Sequence, residues 1–214
     1  MMNKVTQTSL SVALATGLYG ISFGALSTAA GLDLTSTMLL SLLMFSGASQ
    51  FALVGVFATG GTALAAVLSA WLMGIRNSFY ALRLRPELEP FGLLKPIAAQ
   101  LTIDESNAVH AAQSDKEAAK RGFWITGVGV YVFWNLATLL GALGGELLGS
   151  VESMGLDAAA AAAFLGLIWP MLKGRLLLAG AAFTLGIALT PVVGSGTAIL
   201  LTALVALFPD RGAK

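Results

Sequence analysis

Cysteine is absent from this 214-residue chain, which removes disulfides and thiolate chemistry. Histidine occurs once, at His110. A histidine-based metal site therefore has no ligand set, and no metal or other cofactor is expected. Charge is scarce as well. Asp, Glu, Lys and Arg make up 11% of the residues, against about 25% in ordinary soluble domains. The net charge of +1 leaves no polybasic footprint for nucleic acid. Apolar residues fill the space, at 57% hydrophobic and a mean hydropathy of +0.83. A soluble core of this size could not hide so much apolar surface, whereas a bilayer accepts it directly. The chain reads as an all-α integral membrane protein, with residues 1–214 forming a single polytopic domain.

Runs without charge divide it. None occurs between Lys4 and Asp33, Asp33 and Arg76, Arg121 and Glu146, Asp157 and Lys173, or Arg175 and Asp210. A helix needs roughly 20 apolar residues to cross the hydrocarbon core. The run from Asp33 to Arg76 holds two crossings, separated at the turn signal Thr59-Gly60-Gly61-Thr62. The run from Arg175 to Asp210 holds two short ones, separated by Pro191 through Gly196. The expectation is about seven spans, near residues 8–30, 35–58, 62–82, 122–148, 155–173, 175–191 and 193–208. The first is too long, and too poor in basic residues at its start, for a secretory signal.

Lysine and arginine set the expected orientation. Arg83, Arg85, Lys95, Lys116, Lys120 and Arg121 lie between the third and fourth spans, Lys173 and Arg175 between the fifth and sixth, and Arg211 and Lys214 follow the last. An odd number of spans puts all of these on one face, taken as cytoplasmic. The start of the chain then lies outside, with Lys4 as a mild exception. Residues 96–112 are apolar but too short to cross and are flanked by basic residues. They read as a short re-entrant or amphipathic helix, a form tolerated at depth only inside protein or beside a wet cavity. His110 reads as a loop residue, and Glu146 as an interfacial carboxylate.

Polar residues inside the spans carry the functional signal. Ser46-Gly47-Ala48-Ser49-Gln50 falls near the centre of the second span. Such a cluster suggests a helix broken at the midplane, whose freed N–H groups favour a carboxylate. Arg76 and Asn77 close the third span, where the arginine either snorkels to the interface or pairs with Asp104 or Glu105. Asp104 and Glu105 are the only adjacent carboxylates. Like charges that close push one pKa upward, which suits proton exchange or the binding of an ammonium group. Gly17, Gly20 and Gly24 share a face of the first span, and Gly141, Gly145 and Gly149 repeat in the fourth. Stripes like these allow close helix packing or line a path. The tryptophans, Trp134 among them, read as packing or interface residues.

Four motifs occur in order: Gly20-Ile21-Ser22-Phe23-Gly24, Phe45-Ser46-Gly47-Ala48-Ser49-Gln50-Phe51, Arg76-Asn77-Ser78-Phe79-Tyr80 and Leu101-Thr102-Ile103-Asp104-Glu105. Over residues 10–125 they resemble the AzlC/BrnF family, the large subunit of branched-chain amino-acid exporters. Asn77 stands where the family usually has histidine, and Ile103 where it usually has threonine, which bears on substrate preference. The resemblance implies a secondary transporter of the bacterial cytoplasmic (inner) membrane. Its substrates would be valine, leucine and isoleucine, with methionine as a further candidate, exported from the cytoplasm; the adjacent carboxylates Asp104 and Glu105 suit proton coupling of that export. It also implies a small, separately encoded membrane partner of the AzlD/BrnE type; higher oligomers stay open. Substrate-binding candidates are Ser46, Gly47, Ser49, Gln50, Gly24 and Asn77, and Asp104, Glu105 and Arg76 are candidates for proton coupling or ammonium binding. The alternative is a channel or pore for a small solute, although nothing ring-like marks the sequence. An intramembrane enzyme is not expected, since the single histidine lies outside the spans and no paired-histidine motif exists.

Overall fold

A computed structural model describes residues 4–90, 92–148, 169, 172, 174–193, 197–198, 201–202 and 204–207. The described residues form helices joined by short turns, without a strand. Their helices are α1 (Lys4–Ala29), α2 (Leu34–Leu39, continued by a π-helical turn over Leu40–Met44), α3 (Gly47–Ala58), α4 (Ala63–Leu88), α5 (Leu94–Gln100), α6 (Asp104–Ala111), α7 (Lys116–Leu148) and α8 (Leu176–Val193). A 3₁₀ turn covers Leu204–Leu207. Among the described residues, three stretches are long and apolar enough to cross a membrane: Lys4–Ala29, Lys116–Gly145 and Leu176–Val193. At 26 residues α4 has the same length as α1, but Arg76 and Asn77 lower its hydropathy. The expected spans near 155–173 and 193–208 fall largely outside the described residues, as do Gly149 and the side chain of Glu146.

Small residues set the central packing. α1 and α7 lie side by side and run parallel. Ser9 meets the Gly122 carbonyl at the start of both helices, and Gly145 meets Thr28 at their far ends. Between these, Gly17 faces Phe133, Gly20 faces the Trp134 carbonyl, Gly24 faces the Thr138 carbonyl and Gly141 faces the Ile21 carbonyl. A Cβ at Gly24 would overlap the Thr138 carbonyl oxygen. Backbone contact this close brings the two axes together with no side chain between them.

The second expected span breaks where its polar cluster predicts. Helical geometry stops at Met44 and resumes at Gly47, through Phe45 (φ 33°) and the extended Ser46 (φ −146°, ψ 100°). Its two halves do not run in line. Ten residues of straight helix span about 15 Å, yet Gln50 Nε2 donates to the Leu40 carbonyl at 2.9 Å. α2 therefore comes in from the far end of α1, where Thr37 bonds Ser27 at 2.8 Å, and α3 turns back toward that end. Residues 34–58 form a re-entrant hairpin instead of a crossing.

Residues 94–111 form a second hairpin, entering from the opposite end. α6 starts beside the middle of α4, where Asp104 pairs with Arg76, and ends beside its last turn, where His110 Nε2 lies 3.4 Å from the Glu87 carboxylate. α5 leads inward to Gln100, which reaches the broken end of the first hairpin. The short helix expected over 96–112 is thus two half-helices joined at Leu101–Ile103, and it does not cross. His110 is not a loop residue: it is buried on α6.

This geometry corrects the expected orientation. With residues 34–58 turning back, the start of α1 shares a face with the start of α7 and the end of α4. Lys4 then joins Arg83, Arg85, Lys95, Lys116, Lys120 and Arg121 on one face, and the exception to the positive-inside pattern disappears. The order α1, hairpin, α4, hairpin is an inverted repeat. Ser22-Phe23-Gly24-Ala25-Leu26 on α1 is echoed by Ser78-Phe79-Tyr80-Ala81-Leu82 on α4, and Ser49-Gln50 on α3 by Ser106-Asn107 on α6.

Two outcomes follow. The chain has no native cysteine, so single cysteines at Lys4, Arg85 and Lys116 should react with an impermeant thiol reagent from one face and one at Gly60 from the other; opposite labelling at Lys4 and Lys116 would break the hairpin topology. Gly24→Ala and Gly141→Ala should each lower the melting temperature, since overpacking costs about 1–3 kcal/mol. Gly144→Ala, where a Cβ meets nothing within 4 Å, should be neutral.

Candidate functional site

The two hairpin tips meet halfway along α4. A helix broken in lipid frees carbonyl groups that must find partners within the protein. Gln100 Nε2 donates to the Leu42 and Leu43 carbonyls at 2.9 and 3.2 Å, and the Tyr131 hydroxyl donates to Leu42 at 3.3 Å. Gln50 serves Leu40. Phe45 holds a left-handed backbone, uncommon for a residue with a side chain, with its ring edge-on to Tyr131 at 4.8 Å.

Past the break, the N–H groups of Gly47, Ala48 and Ser49 open α3. The first intrahelical partner belongs to Gln50, which donates to Ser46, and no side chain caps the helix. These free donors add to the positive end of the helix dipole. The second tip brings carboxylates to the same place. Asp104 takes Arg76 Nη2 at 2.5 Å and the Tyr80 hydroxyl at 2.9 Å. Arg76 does not close a span, as the sequence suggested: α4 runs on to Leu88 and Arg76 lies midway along it. A charge at that depth costs several kcal/mol if left alone, and Asp104 supplies the counter-charge. Glu105, one residue on, makes no salt bridge among the described residues.

Between the tips lies a cleft of about 590 Å³ including its mouth. Ser46, Gly47 and Ala48 line it from the first tip, Asp104 and Glu105 from the second, and Asn77 from α4. Phe45, Phe51, Val130 and Trp134 give it an apolar wall. Trp134 stacks on Phe23 at 6.2 Å and meets Phe51 edge-on at 6.3 Å. Its indole Nε1–H is buried without an acceptor. Ser49 Oγ, Arg76 Nε and Asn77 Oδ1 are likewise unpartnered. Each such atom costs about 1–3 kcal/mol, and a polar ligand in the cleft would offset part of this. The arrangement presents hydrogen-bond donors, a carboxylate and an apolar wall around one small volume.

Of the residues expected at the site, Ser46, Gly47, Asn77, Asp104 and Glu105 line this cleft. Ser49 faces a neighbouring groove with Ser46 and Asn77, and Arg76 acts through Asp104. Gln50 is fully buried and holds the hairpin closed. Gly24 lies in the α1–α7 contact. Tyr80, Gln100, Tyr131 and Trp134 were not expected at the site from the sequence; Tyr80 only closes a quoted motif, and Trp134 reads there as a packing or interface residue. Gln100 carried a signal as the polar residue just before Leu101; the others are aromatic residues within helical runs, where packing is the ordinary role.

Comparison with known proteins places the chain among membrane proteins. Residues 11–148 match the AzlC protein family. An uncharacterized membrane protein of Archaeoglobus fulgidus is 32% identical over 163 residues, covering 72% of this chain and 68% of its own length. Another, from Helicobacter pylori strain 26695, is 25% identical over 167 residues, covering 77% of this chain and 73% of its own length. No solved structure matches. The family match runs from the middle of α1 to the end of α7 and takes in both hairpins, and on that ground the chain is a membrane protein of the AzlC family.

Proposed function

We propose that this chain is a secondary transporter that exports branched-chain amino acids, with methionine as a further substrate, across the bacterial cytoplasmic membrane in exchange for protons. Family membership is consistent with a transporter-type role rather than catalysis. One observation carries the finer reading: the start of α3, whose first N–H groups have no partner among the described residues, and Glu105, which makes no salt bridge among them, line one cleft with an apolar wall. A zwitterion needs those features together. Its carboxylate is drawn to the Gly47–Ser49 N–H groups and the Trp134 indole. Its ammonium is drawn to Glu105, and a branched side chain rests against Phe45, Phe51 and Val130.

The two adjacent carboxylates take different parts. Asp104 is held by Arg76 and Tyr80, which fixes the second tip. Glu105 has no such anchor and is the group that exchanges a proton for the substrate ammonium. A small membrane subunit of the AzlD/BrnE type completes the working transporter.

A pore is the second reading. Two hairpins entering from opposite faces and meeting tip to tip also suit a passive path for a small solute. Proteoliposomes separate the two. A transporter should accumulate leucine against its gradient when a proton gradient is imposed, and saturate; a pore would do neither.

Asp104→Asn should lower the melting temperature of the purified protein, because it removes the counter-charge of Arg76. Glu105→Gln should leave that temperature within a degree or two while abolishing proton-driven leucine transport and its pH dependence. Unchanged efflux and pH dependence in Glu105→Gln at normal protein levels would rule out the coupling role. Leucine should also raise the wild-type melting temperature by mass action, and Trp134→Phe should weaken that shift.

A further inference from the structure

A second cavity lies away from the tips, in the angle between α5 and the last turns of α4. It measures about 650 Å³ including its mouth. Ala81, Leu84, Leu88, Ala98 and Ala99 give it an apolar wall, and Arg85 and Lys95 stand on its rim. Neither basic side chain has a carboxylate partner among the described residues. Of the two acidic residues that follow Arg85, Glu87 faces His110 at 3.4 Å, and Glu89 is taken by Lys116 at 3.5 Å and Lys120 at 3.6 Å. Those two lysines hold its carboxyl below the ordinary range.

Depth decides what the cavity suits. Arg76 lies midway along α4, level with the hairpin tips, and Arg85 is nine residues further on. At 1.5 Å per residue this puts Arg85 about 13 Å from the tips. The hydrocarbon half-thickness is about 15 Å. With the tips at mid-depth, the basic rim stands at the headgroup level of the face that carries most of the lysines and arginines, and the alanine-lined groove reaches inward among the acyl chains.

We infer that the α4–α5 groove is a binding site for an anionic phospholipid, its phosphate held between Arg85 and Lys95 and an acyl chain laid along Ala81, Ala98 and Ala99. Paired basic residues over an apolar groove on the cytoplasmic side match that chemistry. Small side chains leave room for the chain, and buried Leu84 forms the floor. A free phosphate ion would use the rim and leave the groove empty. The site is independent of the cleft between the tips: it shares no lining residue with it. A lipid wedged there would brace the second hairpin against α4 from outside.

Native mass spectrometry of the full chain in neutral detergent tests this, with phosphatidylglycerol and phosphatidylcholine of identical acyl chains. Phosphatidylglycerol should be retained roughly tenfold or more over phosphatidylcholine. The double variant Arg85→Gln/Lys95→Gln should lose that preference, whereas Lys116→Gln/Lys120→Gln, on the same face, should keep it. Ala99→Phe, which fills the groove and leaves the charges, should reduce retention as well. Equal retention of the two lipids would overturn the site, and so would equal loss in both double variants, which reports surface charge alone. Displacement of the lipid by millimolar inorganic phosphate would also overturn it, in favour of a free-anion site.

Discussion

Backbone hydrogen bonds need partners, and in lipid water does not supply them. Everything in the centre of this protein follows from how it meets that demand where two helices are broken. The Leu40, Leu42 and Leu43 carbonyls, exposed by the break at Phe45–Ser46, are taken by Gln50, Gln100 and Tyr131. Two of those donors come from other elements, the second hairpin and α7. The break in the first hairpin is stable because the second hairpin is there to satisfy it. The opposite end of the break, the N–H groups that open α3, has no such partner among the described residues, and Gly47 and Ala48 line the cleft. Carbonyls capped by protein and donors left free give the site its polarity.

The same economy governs charge. Arg76 in the middle of α4 would be prohibitive in an isolated helix. Asp104 and Tyr80 make it tolerable and in doing so fix the second tip against α4. Glu105, next in sequence, is left without that role. A pair of carboxylates that looks redundant in sequence is divided by structure into one that holds Arg76 and one that makes no salt bridge among the described residues.

Close packing of α1 on α7 supplies the frame. Glycines at positions 17, 20, 24 and 141 bring backbone against backbone, and the two parallel helices form a wall on which both hairpins rest. Buried Ser9, Ser27, Thr37, Ser41 and Thr138 belong to this region. Ser27 bonds Thr37, and Ser41 bonds Thr138, so small hydroxyls join the first hairpin to α1 and α7 across the apolar interior.

The sequence by itself determined the solvent, the helical class and the location of the break. Charge-free runs and scarce charge leave only a bilayer, and Ser46 through Gln50 is too polar for the middle of an unbroken span. It also named the carboxylates and the arginine that meet at the second tip. Only the tertiary structure decided direction. A break marks where a helix stops but does not say whether the chain continues across or turns back, since both leave the same residues in hydrocarbon. The return depends on contacts that a linear reading does not give: Gln50 on Leu40 across the hairpin, and Gln100 and Tyr131 on Leu42 from distant elements. Once residues 34–58 turn back, every later element changes face, and Lys4 moves to the side where the basic residues already lie.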